Sequence, residues 1–395
     1  MGGLARRAAL IAELRQRGVL VAPVDSGDHF LSDSQILPAA LPQIELKTRL
    51  AAEGMKAMGM VAFCPGDFDL AGGLTMLRDL VKIAGVRVVC ANLHWGNELA
   101  FPATAIVPIG PWRVGFFGVT RGDGPLPEDQ GKPLLVDDPI AAARAAVAAL
   151  AGKVDVVVAL SHRGSAEDED MARRVPGIDI ILGAHTREVL QPPRVVGTTS
   201  IHQAGQQGRE IELVHVTASG VRAEHVMLPL TRPEEPEMAK KYAQYEKAVA
   251  ELNSRPPTVP PPPPPSTEPP DAYWGANLCS PCHLKQDAFW KNTPHAHAYE
   301  TLVKAKKQSD VECLMCHTVA FGKARPPSPT SIVDVTGFEG VQCESCHGPG
   351  SRHNDPGIRK MASQPATCLR CHDPKQSPQF NHATWLPRMR CPSDN

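Results

Sequence analysis

Four short stretches decide how the last third of this chain must fold: CSPCH at 279–283, CLMCH at 313–317, CESCH at 343–347 and CLRCH at 368–372. Each is Cys-x-x-Cys-His. The spacing has a chemical reason. Two cysteines three positions apart reach the two vinyl groups of one porphyrin and form thioethers, and the adjoining histidine then lies beneath the ring as an axial iron ligand. The pattern predicts four c-type haems, held by Cys279, Cys282 and His283, by Cys313, Cys316 and His317, by Cys343, Cys346 and His347, and by Cys368, Cys371 and His372. A zinc site built from paired cysteines would leave the four trailing histidines without a role. A disulfide framework would leave them equally unexplained.

Working outward from those motifs, the segment after residue 271 holds four further histidines, His295, His297, His353 and His382. Four spares for four irons permit full bis-histidine ligation, although the closeness of His295 and His297 makes one of them a candidate bystander. This segment is Gly/Pro-rich and poor in apolar periodicity, so the porphyrins themselves have to supply its core. Its 14 Lys and Arg against 11 Asp and Glu give no clear sign for a partner.

Upstream lies RPPTVPPPPPPSTEPP, with ten prolines between Pro256 and Pro270. Such a run adopts polyproline II and reads as a semi-rigid spacer. Before it, TRPEEPEMAKKYAQYEKAVAELNSR reads as a helix with charges on most faces, expected to be solvated. Residues 1 to about 230 alternate amphipathic helices with apolar strands: a helix leads into VLVAPVDSGD, Ile44 to Met58 into MVAFCPGD, Leu74 to Ala84 into VRVVCANL, and Ala141 to Leu150 into VDVVVALSH. That alternation predicts buried sheets in an α/β domain. The segments WRVGFFGVT, TTSIHQAG and REIELVHV look more like antiparallel hairpin strands. An α/β sandwich accommodates both features. The expected organisation is 1–232 for the sandwich, 233–270 for helix and spacer, and 271–395 for a mostly helical and irregular haem domain.

The totals exclude some classes. The formal net charge of −1 among 395 residues is a poor match to phosphate-rich nucleic acid as main partner. The best apolar stretch, Ala145 to Leu160, is broken by Lys153 and Asp155, short of a transmembrane span. The opening MGGLARRAALIAELRQRG lacks the apolar run and cleavage site of a signal peptide. Covalent haem nevertheless implies maturation outside the cytoplasm, so a periplasmic or other extracytoplasmic location is expected, with an export signal upstream of Met1. Cys64 and Cys90 read as small buried residues on neighbouring strands.

Two resemblances fit these residues. The run WKNTPHAHAYETL with GVQCESCHGPGSRH resembles the tetrahaem cytochrome c family that accepts electrons from hydroxylamine oxidation in nitrification. The resemblance covers about residues 271 to 391 and implies redox protein partners, with His295 and His353 as distal ligands. Residues 1 to about 230 resemble the calcineurin-type metallophosphoesterases of the 5'-nucleotidase branch through DSGDHF, PGDFD, LSHRG, GAHT and QAGQQG. That likeness implies a divalent metal (Mn, Fe or Zn) on Asp28, Asp67, His162 and His185. Three departures weigh against activity. The family's catalytic histidine falls on Phe68, a further ligand falls on Arg187, and the opening Asp-x-His strand is not in the sequence, which implies a truncated sandwich whose natural start lies upstream. A degenerate phosphoesterase is therefore expected. The alternative is a working hydrolase in which Asp67 and Asp69 substitute.

Overall fold

A computed structural model of the chain describes residues 3–33, 36, 40–122, 126–218, 220–255, 271–323, 325, 330–353, 364–373, 376–377 and 379–392. The proline run lies outside them. The chain divides into two compact units, Met1–Tyr245 and Glu246–Asn395.

The first unit opens with α1 (Leu4–Gln16), followed by a repeating strand–helix alternation: β1 (Val24–Asp25), α2 (Leu41–Met58), β2 (Ala62–Phe63), α3 (Gly73–Ala84) and β3 (Arg87–Val88). These strands form a parallel three-stranded sheet in the order β1-β2-β3. The long apolar runs around them give only two-residue ladders, because the chain leaves each strand early to form a loop. Next come β4 (Leu93–Trp95), β5 (Glu98–Leu99), β6 (Thr104–Ile109), β7 (Trp112–Thr120), β8 (Leu134–Val136), α4 (Pro139–Leu150), β9 (Val156–His162), α5 (Ser165–Arg174), β10 (Ile180–Gly183), β11 (Arg194–Val196) and β12 (Thr199–His202).

Six of these strands make a mixed sheet in the order β11-β12-β10-β9-β7-β6, the heart of the α/β sandwich. WRVGFFGVT and TTSIHQAG are antiparallel hairpin strands, as expected, but each also has a parallel neighbour on its other edge. β7 pairs antiparallel with β6 on one edge but parallel with β9 on the other, and β12 does the same with β11 and β10. REIELVHV forms a hairpin that stands as its own two-stranded sheet, β13 (Glu210–Thr217) against β14 (Gly220–Met227).

Local chemistry starts α4 where it does: Asp138 caps the helix, its Oδ1 accepting from Ile140 N and Ala141 N, and Pro139 sits at the first turn. The apolar faces of α4 and α5 then bury Ile140, Ala143, Leu150 and Met171 against Phe117, Val157, Ala159, Ile181 and Ile201 of the sheet. Burial on this scale is the main source of stability for the unit. The hairpin is tied to β12 by polar contacts: Glu212 Oε1 lies 2.8 Å from His202 Nδ1, whose Nε2 lies 2.7 Å from Ser200 Oγ.

The helix α6 (Pro236–Asn253) contains the division between the units. It is not solvated all round, since Met238, Val249 and Asn253 are buried. The second unit continues as short helices: α7 (Ala276–Cys279), α8 (Leu284–Lys291), α9 (Ala298–Lys304), α10 (Val311–His317), α11 (Cys343–His347), α12 (Pro365–Leu369) and α13 (His382–Met389). Its apolar clusters are small: Leu302, Leu314 and Val335 in one, Val319, Ala320 and Phe338 in another. Polar side chains do much of the joining. The buried carboxylate of Glu344 accepts from Trp274 N, Gly275 N and Gly350 N, and Gln342 Oε1 accepts from Ala276 N. No helix among the described residues is long and apolar enough to cross a membrane.

Candidate functional site

In the first unit, four loops at the ends of parallel strands converge. Asp28 follows β1, Asp67 follows β2, His162 ends β9 and His185 follows β10. One ligand atom from each of these four lies within 4.8 Å of every other. The loops are tight enough to need unusual backbone. Asp28, His185 and Arg187 adopt positive φ values of 57°, 75° and 59°, a region that non-glycine residues enter at a cost and mostly at functional loops. Gly27 has φ 111°, and a Cβ there would lie 2.5 Å from both Gly66 N and His162 Nδ1. Only glycine lets the β1 and β2 loops close on the histidine.

The donor atoms fit a cation. Asp67 Oδ1, His162 Nε2 and His185 Nδ1 are buried without a hydrogen-bond partner. His162 Nε2 nevertheless lies 3.1 Å from Asp67 Oδ1 and 3.3 Å from Asp28 Oδ2. Close polar atoms without hydrogen-bond geometry are what a shared ion would resolve. The tautomer is set from outside: His162 Nδ1 donates to Ser26 O at 2.7 Å, which turns Nε2 toward the cluster. Burial opposes charge on His162, but the adjacent carboxylates of Asp28 and Asp67 outweigh it and raise the imidazole to about 10. Burial likewise works against ionised Asp67, and His162 and His185 reverse it, holding the carboxyl well below its usual range. Oxygen and imidazole donors in this mixture suit a first-row divalent ion.

Asp69 does not join the cluster. Its Oδ2 accepts from Asp28 N and Gly66 N and its Oδ1 from Phe30 N, so it fastens the β1 and β2 loops together. Desolvation and the neighbouring Asp28 push its carboxyl up to about 7. Phe68 contributes its backbone N–H, which donates to Asp28 Oδ1 at 3.0 Å. His29 Nδ1 lies 2.9 Å from Asp25 Oδ2. The roles of Asp69 and of the Ser26 carbonyl escape sequence reasoning, because a backbone acceptor has no signature and an acidic residue beside another looks interchangeable with it.

In the second unit, His317 and His347 are the last residues of α10 and α11, and the other two motifs run from a helix end into a turn. Cys279 lies near enough to Cys343, and Cys316 to Cys371, to shift each other's ionisation, so the first motif adjoins the third and the second adjoins the fourth. Two histidine pairs face each other: His283 with His353 at 6.1 Å between ring centres, and His295 with His372 at 6.0 Å. Two metal–nitrogen bonds of about 2 Å on opposite sides of one metal leave ring centres roughly this far apart. Burial lowers the pKa of His295, His347 and His372, favouring the neutral form that ligates metal. His317 Nδ1 donates to Ala298 O at 2.8 Å, and the ring of His372 stacks on Phe380. His297 is spent: its Nδ1 lies 2.8 Å from Glu300 Oε1, and its Nε2 lies 3.0 Å from Lys291 O. His382 Nε2 is buried without a partner.

Residues 278–348 match the family described as cytochrome c554 and c-prime, and residues 337–377 match the doubled CXXCH motif. The first unit is similar to a snake venom 5'-nucleotidase of Gloydius brevicauda, 28% identical over 233 residues, 55% of this chain and 38% of that protein. The human 5'-nucleotidase is 25% identical over 234 residues, 56% of this chain and 40% of its own length. The chain thus spans well under half the length of these curated relatives. Among solved structures, a 5'-nucleotidase precursor from Thermus thermophilus superposes with a TM-score of 0.56 at 25% identity, covering 65% of this chain and 55% of that one. A calcineurin-like phosphoesterase from Bacillus subtilis shares the fold at 18% identity, with a TM-score of 0.50 over 63% of this chain and 90% of that one.

Proposed function

We propose that this chain, which joins a multihaem cytochrome c domain to a 5'-nucleotidase-like domain, is an extracytoplasmic electron carrier with four c-type haems and a phosphoesterase-like domain that has lost its hydrolytic role. The observation that carries the reading is the pair of close histidine couples, His283–His353 and His295–His372, with rings tilted by 58° and 44°, each joining a Cys-x-x-Cys-His motif to a histidine elsewhere in the chain. When bound, c-type haems pass single electrons from iron to iron.

The chain's own residues prepare such sites. The Ala298 carbonyl fixes the tautomer of His317, and Ser377 and Phe380 hold the ring of His372 in place. Burial lowers the pKa of His295 and His347, which favours their neutral form. His353 and His295 serve as distal ligands in this reading, and a redox partner protein supplies and removes the electrons. Pyridine haemochrome assay and intact mass of the purified chain test it: four haems per chain are expected, and two or fewer would defeat the assignment.

A second reading is favoured by the convergence of Asp28, Asp67, His162 and His185. These residues would hold a divalent ion (Mn, Fe or Zn), whose chemistry when bound is to polarise a phosphoryl oxygen and activate water. Phe68 offers the site only a backbone N–H, with no side chain able to move a proton. Hydrolysis of a 5'-nucleotide in the presence of Mn²⁺, abolished by His162→Ala, would establish a tethered phosphohydrolase. Metal binding without turnover would leave the degenerate domain.

A further inference from the structure

Eight of the eleven cysteines belong to the haem motifs, which leaves Cys64, Cys90 and Cys391. Two of these three meet. Cys64 directly follows β2 and Cys90 lies two residues beyond β3. These strands run parallel in the register Ala62↔Arg87 and Phe63↔Val88, and Val89 N donates to Phe63 O to extend the ladder. One step further, Cys64 stands opposite Val89, with Cys90 the next residue along. A strand spacing of about 4.8 Å and a rise of about 3.3 Å put the two Cα atoms roughly 6 Å apart, the usual separation of bridged cysteines.

Strict pleat alternation would turn Cys90 to the other face, but by then the chain has left β3, with Cys90 N donating to Pro102 O. The two thiols lie near enough to shift each other's ionisation, and both residues are fully buried. Their other polar contacts are long: Cys64 Sγ to Pro65 O at 3.8 Å and Cys90 Sγ to Asn92 Oδ1 at 3.6 Å. On the far side, β7 closes over them at Gly118, where a Cβ would lie 2.8 Å from Cys64 Sγ and collide with Val89 O.

We propose that Cys64 and Cys90 are a disulfide site, bridging the ends of β2 and β3 and tethering the loop that carries Asp67. The oxidant is a disulfide of the thiol–disulfide oxidoreductase class. One cysteine thiolate attacks it, and the second displaces the mixed disulfide. The two protein thiols thereby lose two protons and two electrons, and the oxidant leaves as a dithiol. Since the folded protein shields both sulfurs, the exchange takes place during folding, before β7 covers them. The same shielding keeps reductants out, so the bridge is a structural staple rather than a cycling couple. The proposal rests on the extracytoplasmic reading, because disulfides persist in oxidising compartments.

The test uses the full chain, exported with its haems attached, denatured in iodoacetamide and digested with trypsin without reductant. Peptide mass spectrometry should find the fragments holding Cys64 and Cys90 joined, separating only after dithiothreitol, and Cys64→Ser should leave Cys90 fully alkylated. Haem-bearing peptides in the same digest report the cytochrome reading independently. Haem attached with both cysteines alkylated overturns the disulfide alone. If no haem is attached, refolding the chain in a glutathione disulfide buffer decides the matter: a Cys64–Cys90 link supports the proposal, and two free thiols overturn it.

Discussion

The two units solve the problem of holding a chain together by opposite means. In the first, α4 and α5 press a continuous aliphatic layer onto the six-stranded sheet, and residues such as Phe63, Leu74, Phe117 and Ile181 are fully buried. In the second, the described apolar clusters contain three buried residues each, and carboxylate and amide side chains such as Glu344 and Gln342 link segments that hydrophobic contact does not. A protein-only core is sufficient for the first unit. The second is a frame of ligands and short helices that needs large apolar cofactors to complete it, much as small domains elsewhere need disulfides or metals. Some histidines follow the same division: His162 and His185 of the first unit converge with two carboxylates, whereas His283 and His353, and His295 and His372, of the second stand in pairs about 6 Å apart.

The sharpest way to break this comparison is to withhold haem. Expressed without covalent attachment, residues 271–395 should be cut by protease at least tenfold faster than in the haem-loaded chain, while residues 4–230 stay protected at the same rate. Equal protection of both units would show that the second has a sufficient core of its own. Next in size is the metal cluster. Asp67→Ala or His162→Ala should weaken Mn²⁺ binding by about 100-fold or more, beyond the 10–100-fold typical of losing a supporting contact. Calorimetry on the purified chain measures it, and unchanged affinity would remove these residues from the ligand set.

A smaller effect separates the spare histidines. His353→Ala should convert one haem from low to high spin in electron paramagnetic resonance, and His297→Ala should convert none, because both of its nitrogens are already engaged. A spin change in the second variant would reverse the assignment. The smallest effect concerns the buried Asp168, whose carboxyl is pushed up to about 7 by desolvation. An unfolded aspartate releases its proton near pH 4, so between about pH 4 and 7 the folded state holds a proton the unfolded chain has lost. Stability then falls as pH rises through that window. Asp168→Asn should flatten this slope, seen as a melting temperature a few degrees higher at pH 8 and little changed at pH 4.

Much of this was legible in the sequence, for identifiable reasons. The Cys-x-x-Cys-His motifs could be read because one haem imposes its geometry on five consecutive residues, which no tertiary contact has to assemble. His162 and His185 could be read because each stands at the end of an apolar strand, where parallel sheets present their functional loops. The α/β alternation in residues 1–230 was visible from the helix and strand periods. The parallel partners of β7 and β12 were not. A strand with one parallel and one antiparallel neighbour has the same residue pattern as a hairpin strand, and only pairing distinguishes them.

The sequence by itself determined which atoms are available: eight cysteines and four histidines spaced for haem, and Asp28, Asp67, His162 and His185 on separate strand ends. Only the tertiary structure decided which of them meet. His283 finds His353 seventy residues away and His295 finds His372 seventy-seven residues away. Asp67 joins the cluster while Asp69, two positions on, is taken up by three backbone amides. Cys64 comes beside Cys90 because β2 and β3 are neighbours in register. The physical reason is common to all of these: covalent spacing is local and written in the chain, whereas a ligand set, a hydrogen-bond sink or a thiol pair exists only once distant backbone segments have been packed to within a few ångströms.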